Sequence, residues 1–223
     1  RFCELWRSRP FPDYSAALEP LAALAMVSVG LRVFNELQPS GGRFPAAFLD
    51  PTCGTGTLAA AARFCSKELT VLAGDVSEKM AARTASNLQY MFSSDPSGQQ
   101  DSTASQADCN EDCNAAESGS NGREKLVVRQ WDATARWPLP EHLELGTDGA
   151  GLLVVANLPW GRSLGGQAED AAGVVRCLAR EFPKALFCWL ISEEVRQECL
   201  AEGLLTTLHD VPAGKKASIL VAR

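Results

Sequence analysis

Two short segments carry residues whose types and spacing can do chemistry: Asp50-Pro51-Thr52-Cys53-Gly54-Thr55-Gly56-Thr57 and, downstream, Asn157-Leu158-Pro159-Trp160-Gly161. In the first, Gly54 and Gly56 permit a tight turn and close backbone approach. A helix opening near Thr57 presents free N–H groups to a polar or anionic ligand. Asp75, with Val76 beside it, closes the next apolar run, where a carboxylate can accept from both hydroxyls of a ribose. Trp131-Asp132-Ala133 follows a third run. There Asp132 can accept from an adenine amine while an apolar neighbour covers the ring, or it can cap the turn before Trp137-Pro138. In the second segment the Asn157 side-chain oxygen and the Leu158 carbonyl can accept the N–H groups of an exocyclic amine. That localises a lone pair otherwise delocalised into the ring. Pro159 stiffens the turn and removes a competing donor, and Trp160 offers a flat face on which a base stacks, worth roughly 1–3 kcal/mol.

Each signal has a plainer alternative. Gly54-Thr-Gly56-Thr-Leu-Ala59 also satisfies the dinucleotide fingerprint, and Asp75 falls at the NAD-ribose spacing. Asp50-Pro51 separates the two: an acid before the glycines repels a pyrophosphate but meets a cationic aminoacyl group. A nicotinamide-dependent oxidoreductase is therefore disfavoured, and no evident proton donor stands near the strand ends. An isolated N-x-P-W suits an ordinary strand-end turn just as well. Its weight comes from ending a strand on the same sheet edge as the glycine turn, where open α/β sheets bind ligands. Together the segments point to methyl transfer from S-adenosylmethionine to a nucleobase nitrogen. That scheme needs no metal and no general base, and much of its rate comes from aligning amine and methyl.

The elements that must position these residues alternate regularly. Helical spacing covers Tyr14–Leu37, with Leu18, Leu21, Ala22, Ala25, Val29 and Val33 on one face. Strands are predicted at Phe44–Leu49, Leu69–Ala73, Lys125–Gln130, Gly151–Ala156 and Ala185–Ile191. Helices are predicted at Thr57–Ser66, from an N-cap at Ser77 through Met91, at Ala168–Phe182 and from Ser192 to about Glu202. Leu204–Asp210 and Ser218–Ala222 form a terminal pair. Apolar strands alternating with helices mean a Rossmann-like α/β fold, a parallel sheet covered on both faces.

Between helix and third strand, residues 93–122 contain no Leu, Ile, Val, Phe, Tyr or Trp and read as a disordered acidic insertion. It interrupts one domain spanning 1–223 rather than separating two. The segment holds six acids and no Lys or Arg, so the formal charge of −6 resides there; the other 21 acidic residues balance the 21 basic ones. Acidity is then no argument against a nucleic-acid substrate, and no overall basic field argues for one. Arg1, Arg7, Arg9, Arg162 beside the second segment, and Lys215-Lys216 are the local cations available to RNA. No apolar run reaches the ~18 residues of a membrane span. The eight cysteines sit mostly in apolar patterns, which suggests reduced thiols; Cys109 and Cys113 lack histidine partners, so no metal site is expected.

Asn157-Leu158-Pro159-Trp160 resembles the fourth motif, (D/N/S)-P-P-(Y/F/W), of Rossmann-type nucleic-acid amino-methyltransferases. Within them the chain is most similar to the THUMP-associated guanosine-N2 methyltransferases of tRNA and related RNAs. Asp50 to Thr57 matches their D-P-x-C-G-[TS]-G-[TS]. Tyr14-Ser-Ala-Ala-Leu-Glu-Pro20 looks like their lead-in to that motif, and Gly74-Asp75 with Asn87 like their second. Leu158 replaces the commoner first Pro of the fourth motif, as in an N-[LIM]-P-[FW]-G variant. The resemblance implies a seven-stranded sheet ordered 3-2-1-4-5-7-6 with the seventh strand antiparallel. It implies S-adenosylmethionine held by Asp50, Pro51, Cys53, Gly54, Thr55, Gly56, Thr57, Asp75, Val76, Asp132, Ala133 and Asn157. Asn157, Leu158, Pro159 and Trp160 would act on the amine, with Trp160 and Arg162 against the RNA. It further implies a THUMP-like RNA-capturing domain upstream of Arg1, a structured RNA such as tRNA as partner, a small activating subunit, and a cytoplasmic or nuclear setting. Adenine-N6 methylation of DNA or RNA would use the same four residues, and a non-catalytic RNA- or partner-binding relic is the remaining alternative.

Overall fold

In the computed structural model, residues 1–11, 18–37, 45–92, 125–137, 143, 145, 148–158, 168–213 and 217–223 are described. The predicted insertion at 93–122 lies outside them, as do Tyr14, His142, Pro159 to Arg162 and Lys215-Lys216. The chain runs α1 (Phe2–Arg7), α2 (Pro20–Glu36), β1 (Ala47–Asp50), α3 (Thr57–Cys65), β2 (Thr70–Asp75), α4 (Glu78–Phe92) and β3 (Leu126–Gln130). It continues through β4 (Leu152–Asn157), α5 (Ala168–Glu181), β5 (Leu186–Ser192), α6 (Glu193–Ala201), β6 (Thr207–Pro212) and β7 (Ala217–Ala222).

The strands form one seven-stranded sheet in the order β3-β2-β1-β4-β5-β7-β6. β1 to β5 are mutually parallel, and β7 runs antiparallel to both β5 and β6. The expected order and the reversed last strand are both present. Because the central strands are covered on both faces, they read as continuous apolar runs, and β1 is buried throughout. Side chains alternate between two cores. Phe48, Val71, Leu153, Val155, Cys188 and Val221 face α1 to α4; Leu49, Leu72, Leu152, Val154, Phe187, Trp189 and Leu220 face α5 and α6.

Several boundaries differ from the sequence reading for local reasons. α2 begins at Pro20, with Glu19 extended (φ −57°, ψ 137°), because a residue before proline is pushed out of the helical region. β1 begins at Ala47 rather than Phe44, since Pro45 has no N–H for the ladder. Asp75 and Asn157 belong to their strands, so β2 and β4 end on polar residues. α1 was not anticipated; its Phe2 and Trp6, four residues apart, are both buried. Ser77 caps as predicted, accepting the Met80 amide at 3.4 Å, and Ser192 also caps its helix, accepting the Val195 amide at 3.3 Å.

Two close approaches set the packing around the site. A Cβ on Gly30 would stand 3.2 Å from Leu153 Cδ1, so α2 lies tightly on β4. On the other face no helix is described between β3 and β4. Instead Trp131 and Trp137 meet edge to face at 4.4 Å, and a Cβ on Gly74 would fall 2.6 Å from Trp137. Among the described residues no helix is long and apolar enough to cross a membrane.

Candidate functional site

Four parallel strands deliver polar residues to one edge. Asp50 ends β1, Asp75 ends β2, Asn157 ends β4, and Asp132 stands two residues beyond the end of β3. Register fixes their levels: Asp50 pairs with Ala73 and Asp75 with Gln130. Leu49 pairs with Val154 and Asn157 with Leu190. The two segments singled out from sequence therefore meet, and the Thr52 hydroxyl donates to the Asn157 carbonyl at 3.4 Å.

The glycine turn is held from several directions. Gly54 and Gly56 have φ of +55° and +92°, the left-handed region that glycine tolerates without a Cβ penalty. The Asp75 carboxylate accepts the Gly54 amide at 2.9 Å through one oxygen and the Ser77 amide at 2.9 Å through the other. A carboxylate has about four lone-pair sites, so two remain for a ligand's hydroxyls. The Cys53 amide donates to the Gly74 carbonyl at 2.8 Å, and the Gly56 amide to the Cys53 carbonyl at 2.7 Å. From α4, the Thr84 hydroxyl donates to the Gly54 carbonyl at 2.8 Å and Asn87 Nδ2 to the Thr55 carbonyl at 2.9 Å.

Thr84 and Asn87 are fully buried on the apolar face of α4. The sequence reading gave Thr84 no place and Asn87 only a family resemblance. The available signal was a Thr and an Asn three residues apart where that face should carry hydrophobes.

The charge pattern of the cradle is unusual. Asp50 is 1% exposed, accepts only a 3.4 Å contact from the Thr52 amide, and pairs with no cation among the described residues. Burial pushes its carboxyl up to about 8, opposed by the Thr52 amide and helped to a lesser extent by the nearby Asp75 charge. The Cys53 thiol is pushed well above its usual range, first by burial and then by Asp50, so it is a neutral thiol and not a nucleophile. Asp132 is exposed, and the amide and hydroxyl of Thr134 donate to its Oδ1 at 2.8 and 2.7 Å. Those bonds hold its carboxyl below the usual range. It caps its own turn through Oδ1, so both roles read from the sequence are compatible.

A nucleoside ligand bearing a cation fits this donor set. Asp50 is a buried carboxyl whose ionised form a neighbouring positive charge would stabilise. A Cβ on Gly54 would meet nothing within 4 Å, so the cradle is open on that side. α3 has Gly56 at its N-cap with no side-chain cap, leaving first-turn amides toward the cradle. Val76, beside Asp75, is 68% exposed, an apolar surface suited to a flat ring. By contrast Ala133 is buried in the core with Trp131 and Trp137. Thr55 and Thr57 are buried, and Leu158 packs its side chain inward while its amide donates to the Leu190 carbonyl at 3.1 Å. Pro159, Trp160 and Arg162 lie outside the described residues. Arg9, counted among the cations for RNA, is engaged with Trp6, whose ring its guanidinium covers at 3.9 Å and whose carbonyl it bonds.

No protein-family model and no curated protein sequence matches the chain. Solved structures do. TrmN from Thermus thermophilus superposes with a TM-score of 0.55 at 17% identity, over 100% of this chain and 52% of that one. The chain thus spans about half the length of that protein. The rRNA methyltransferase aviRa from Streptomyces viridochromogenes gives 0.53 at 16% identity, over 98% of this chain and 89% of that one. A SAM-dependent O-methyltransferase from Thermotoga maritima gives 0.57 at 13% identity, over 100% and 71%. The chain has the Rossmann-like fold of S-adenosylmethionine-dependent methyltransferases. Those neighbours differ in what their names say they methylate, so the likeness is one of fold, and what the chain binds and acts on is left to the site.

Proposed function

We propose that this chain is an S-adenosylmethionine-dependent methyltransferase acting on an exocyclic amine of a nucleobase in RNA, guanosine N2 foremost. The observation that carries the reading is the union of the Asp50–Gly56 cradle and Asn157 on one strand-end edge, bridged by the Thr52 hydroxyl. The cofactor supplies an electrophilic methyl group on a sulfonium. When it is bound, Asp50 would hold its ammonium, Asp75 its ribose hydroxyls, Val76 the face of its base, and Asp132 the base amine.

Asn157 does the work on the acceptor. Its side-chain oxygen and the Leu158 carbonyl accept the amine N–H groups and aim the nitrogen lone pair at the methyl position. Pro159 and Trp160 follow in the sequence, residue types suited to stiffening a turn and to stacking on a base. With Cys53 neutral, the amine itself would attack. The methyl C–S bond would break to leave a neutral thioether as C–N forms, and the proton of the alkylated nitrogen, then strongly acidic, would pass to water. Alignment is the principal source of rate. The RNA reading is supported by aviRa, an rRNA methyltransferase, among the structural neighbours and by the amino-methyltransferase motif. By the same resemblance a tRNA or another structured RNA, a THUMP-like capture domain, a small activating subunit and a cytoplasmic or nuclear setting complete the proposal.

Isothermal titration with S-adenosylhomocysteine and with NAD tests the cofactor. The expected result is heat with the first and none with the second; the reverse overturns the reading.

A further inference from the structure

One buried side chain on α4 ties the N-terminal segment to the cofactor cradle. Asn87 is fully buried, and its amide makes three hydrogen bonds to two distant stretches of backbone. Oδ1 accepts the Phe11 amide at 3.1 Å, while Nδ2 donates to the Phe11 carbonyl at 3.1 Å and to the Thr55 carbonyl at 2.9 Å. The orientation is unambiguous, because a flipped amide would set its oxygen against two carbonyls and its NH2 against an N–H. Asn87 thus imitates a strand partner for Phe11 and spends its second N–H on the residue between the two glycines.

The segment reaching Phe11 is anchored rather than loose. Phe2 and Trp6 are buried in the core beneath α2 and α3, Arg9 lies over Trp6, and Arg83, one turn before Asn87, stands 5.6 Å from the Phe11 ring. The glycine turn is therefore clasped on its outer side by an element far away in sequence.

We propose that Asn87 is a positioning residue through which segment Arg1–Phe11 sets the affinity of the Gly54–Gly56 cradle for its cofactor. Reciprocally, cofactor binding tightens the docking of that segment. The proposal rests on the functional reading above. It follows because the Thr55 carbonyl and both Phe11 backbone groups share one amide: anything that fixes the cradle fixes Asn87, and anything that frees Phe11 costs Asn87 two partners. Linkage makes the coupling equal in both directions. A buried amide left with unmet groups drifts or admits water, and the glycine turn loses its backing.

The test uses the full chain and S-adenosylhomocysteine. Asn87→Ala is expected to weaken binding about tenfold, the net worth of one to two hydrogen bonds. KM for the methyl donor should rise while kcat at saturation holds. Trypsin cleavage after Arg7 should slow when ligand is added to the wild-type chain and not to the variant, a response that a general loss of stability would not abolish. Trp6→Ala, which loosens the segment with Asn87 intact, should weaken binding too, and the double variant should lose no more than the worse single one. Should Asn87→Ala fail to fold, the Trp6→Ala titration and the wild-type cleavage assay decide alone. Unchanged affinity in a folded variant, or equal ligand protection in variant and wild type, overturns the proposal. A wild-type chain that binds no S-adenosylhomocysteine overturns the functional reading and this proposal together.

Discussion

The Gly54–Gly56 cradle and the end of β4, the proposed cofactor and amine halves of the site, are built by different means. Around Gly54–Gly56, side chains from β2 and α4 fasten the backbone: Asp75 takes an amide, Thr84 and Asn87 each hold a carbonyl. At the end of β4, Asn157 and Leu158 are placed by strand register, with the Leu158 amide on Leu190 and the Thr52 hydroxyl on the Asn157 carbonyl. A rigid cofactor rewards a rigid cradle, whose hydrogen-bonding groups then need no reorganisation on binding. An acceptor base on a large RNA needs a fixed pair of acceptors and room around them. Binding and turnover should therefore break separately.

The largest separation is expected at Asn157. Asn157→Ala should reduce kcat by about 10²–10³-fold or more, as loss of a preorganised partner of the reacting group does, while S-adenosylhomocysteine affinity stays within about threefold in titration. Parallel losses in both would merge the two halves. Asp75→Ala is the converse. It removes the acceptor of the Gly54 and Ser77 amides and the proposed acceptor of the ribose, and affinity should fall by about 10–100-fold, with saturating kcat much less affected.

Asp50 sharpens the comparison through pH. Its carboxyl, at about 8 in the free protein, is mostly protonated at neutral pH, whereas a bound ammonium requires the anion. Binding should release close to one proton near pH 7. Affinity should rise by up to about tenfold per pH unit and level off above about 8. Stability of the free protein runs the other way. A raised acid favours the folded state fully below its unfolded value near 4 and loses that contribution as pH rises through about 8. Titrations in buffers of different ionisation enthalpy would show the proton, and Asp50→Asn should flatten both profiles. The smallest effect is expected at Gly56. With φ at +92° and Thr84 Cγ2 2.9 Å from where a Cβ would sit, Gly56→Ala costs about 1–2 kcal/mol from the left-handed conformation alone. Thermal unfolding should move down by several degrees.

What the sequence disclosed, and what it hid, follows from the range of the interactions. The strands, the glycine turn and the strand-end acids were legible because each is local: an apolar run, a turn residue, an acid at a fixed offset. The order of the strands came only with the family resemblance. α1 escaped because six residues give too few turns to show a period, although Phe2 and Trp6 mark its buried face. The two carbonyls held by Thr84 and Asn87 lie 30 and 32 residues away in sequence, a distance that no periodicity reveals. Likewise the depth of Asp50, and hence its protonation, depends on the two strands that flank β1 and not on its own motif. The end of β1 looks alike in sequence whether its acid is wet or dry.

The central claim is transfer of a methyl group to a base amine at Asn157, and methyl-labelled S-adenosylmethionine tests it most directly. Wild-type chain and Asn157→Ala are incubated with structured RNA, which is then digested to nucleosides and separated. The account predicts label in N2-methylguanosine with the wild type and about 10²–10³-fold slower labelling, or none, with the variant. Label on ribose oxygen or a base carbon, or unchanged labelling by Asn157→Ala, would contradict it.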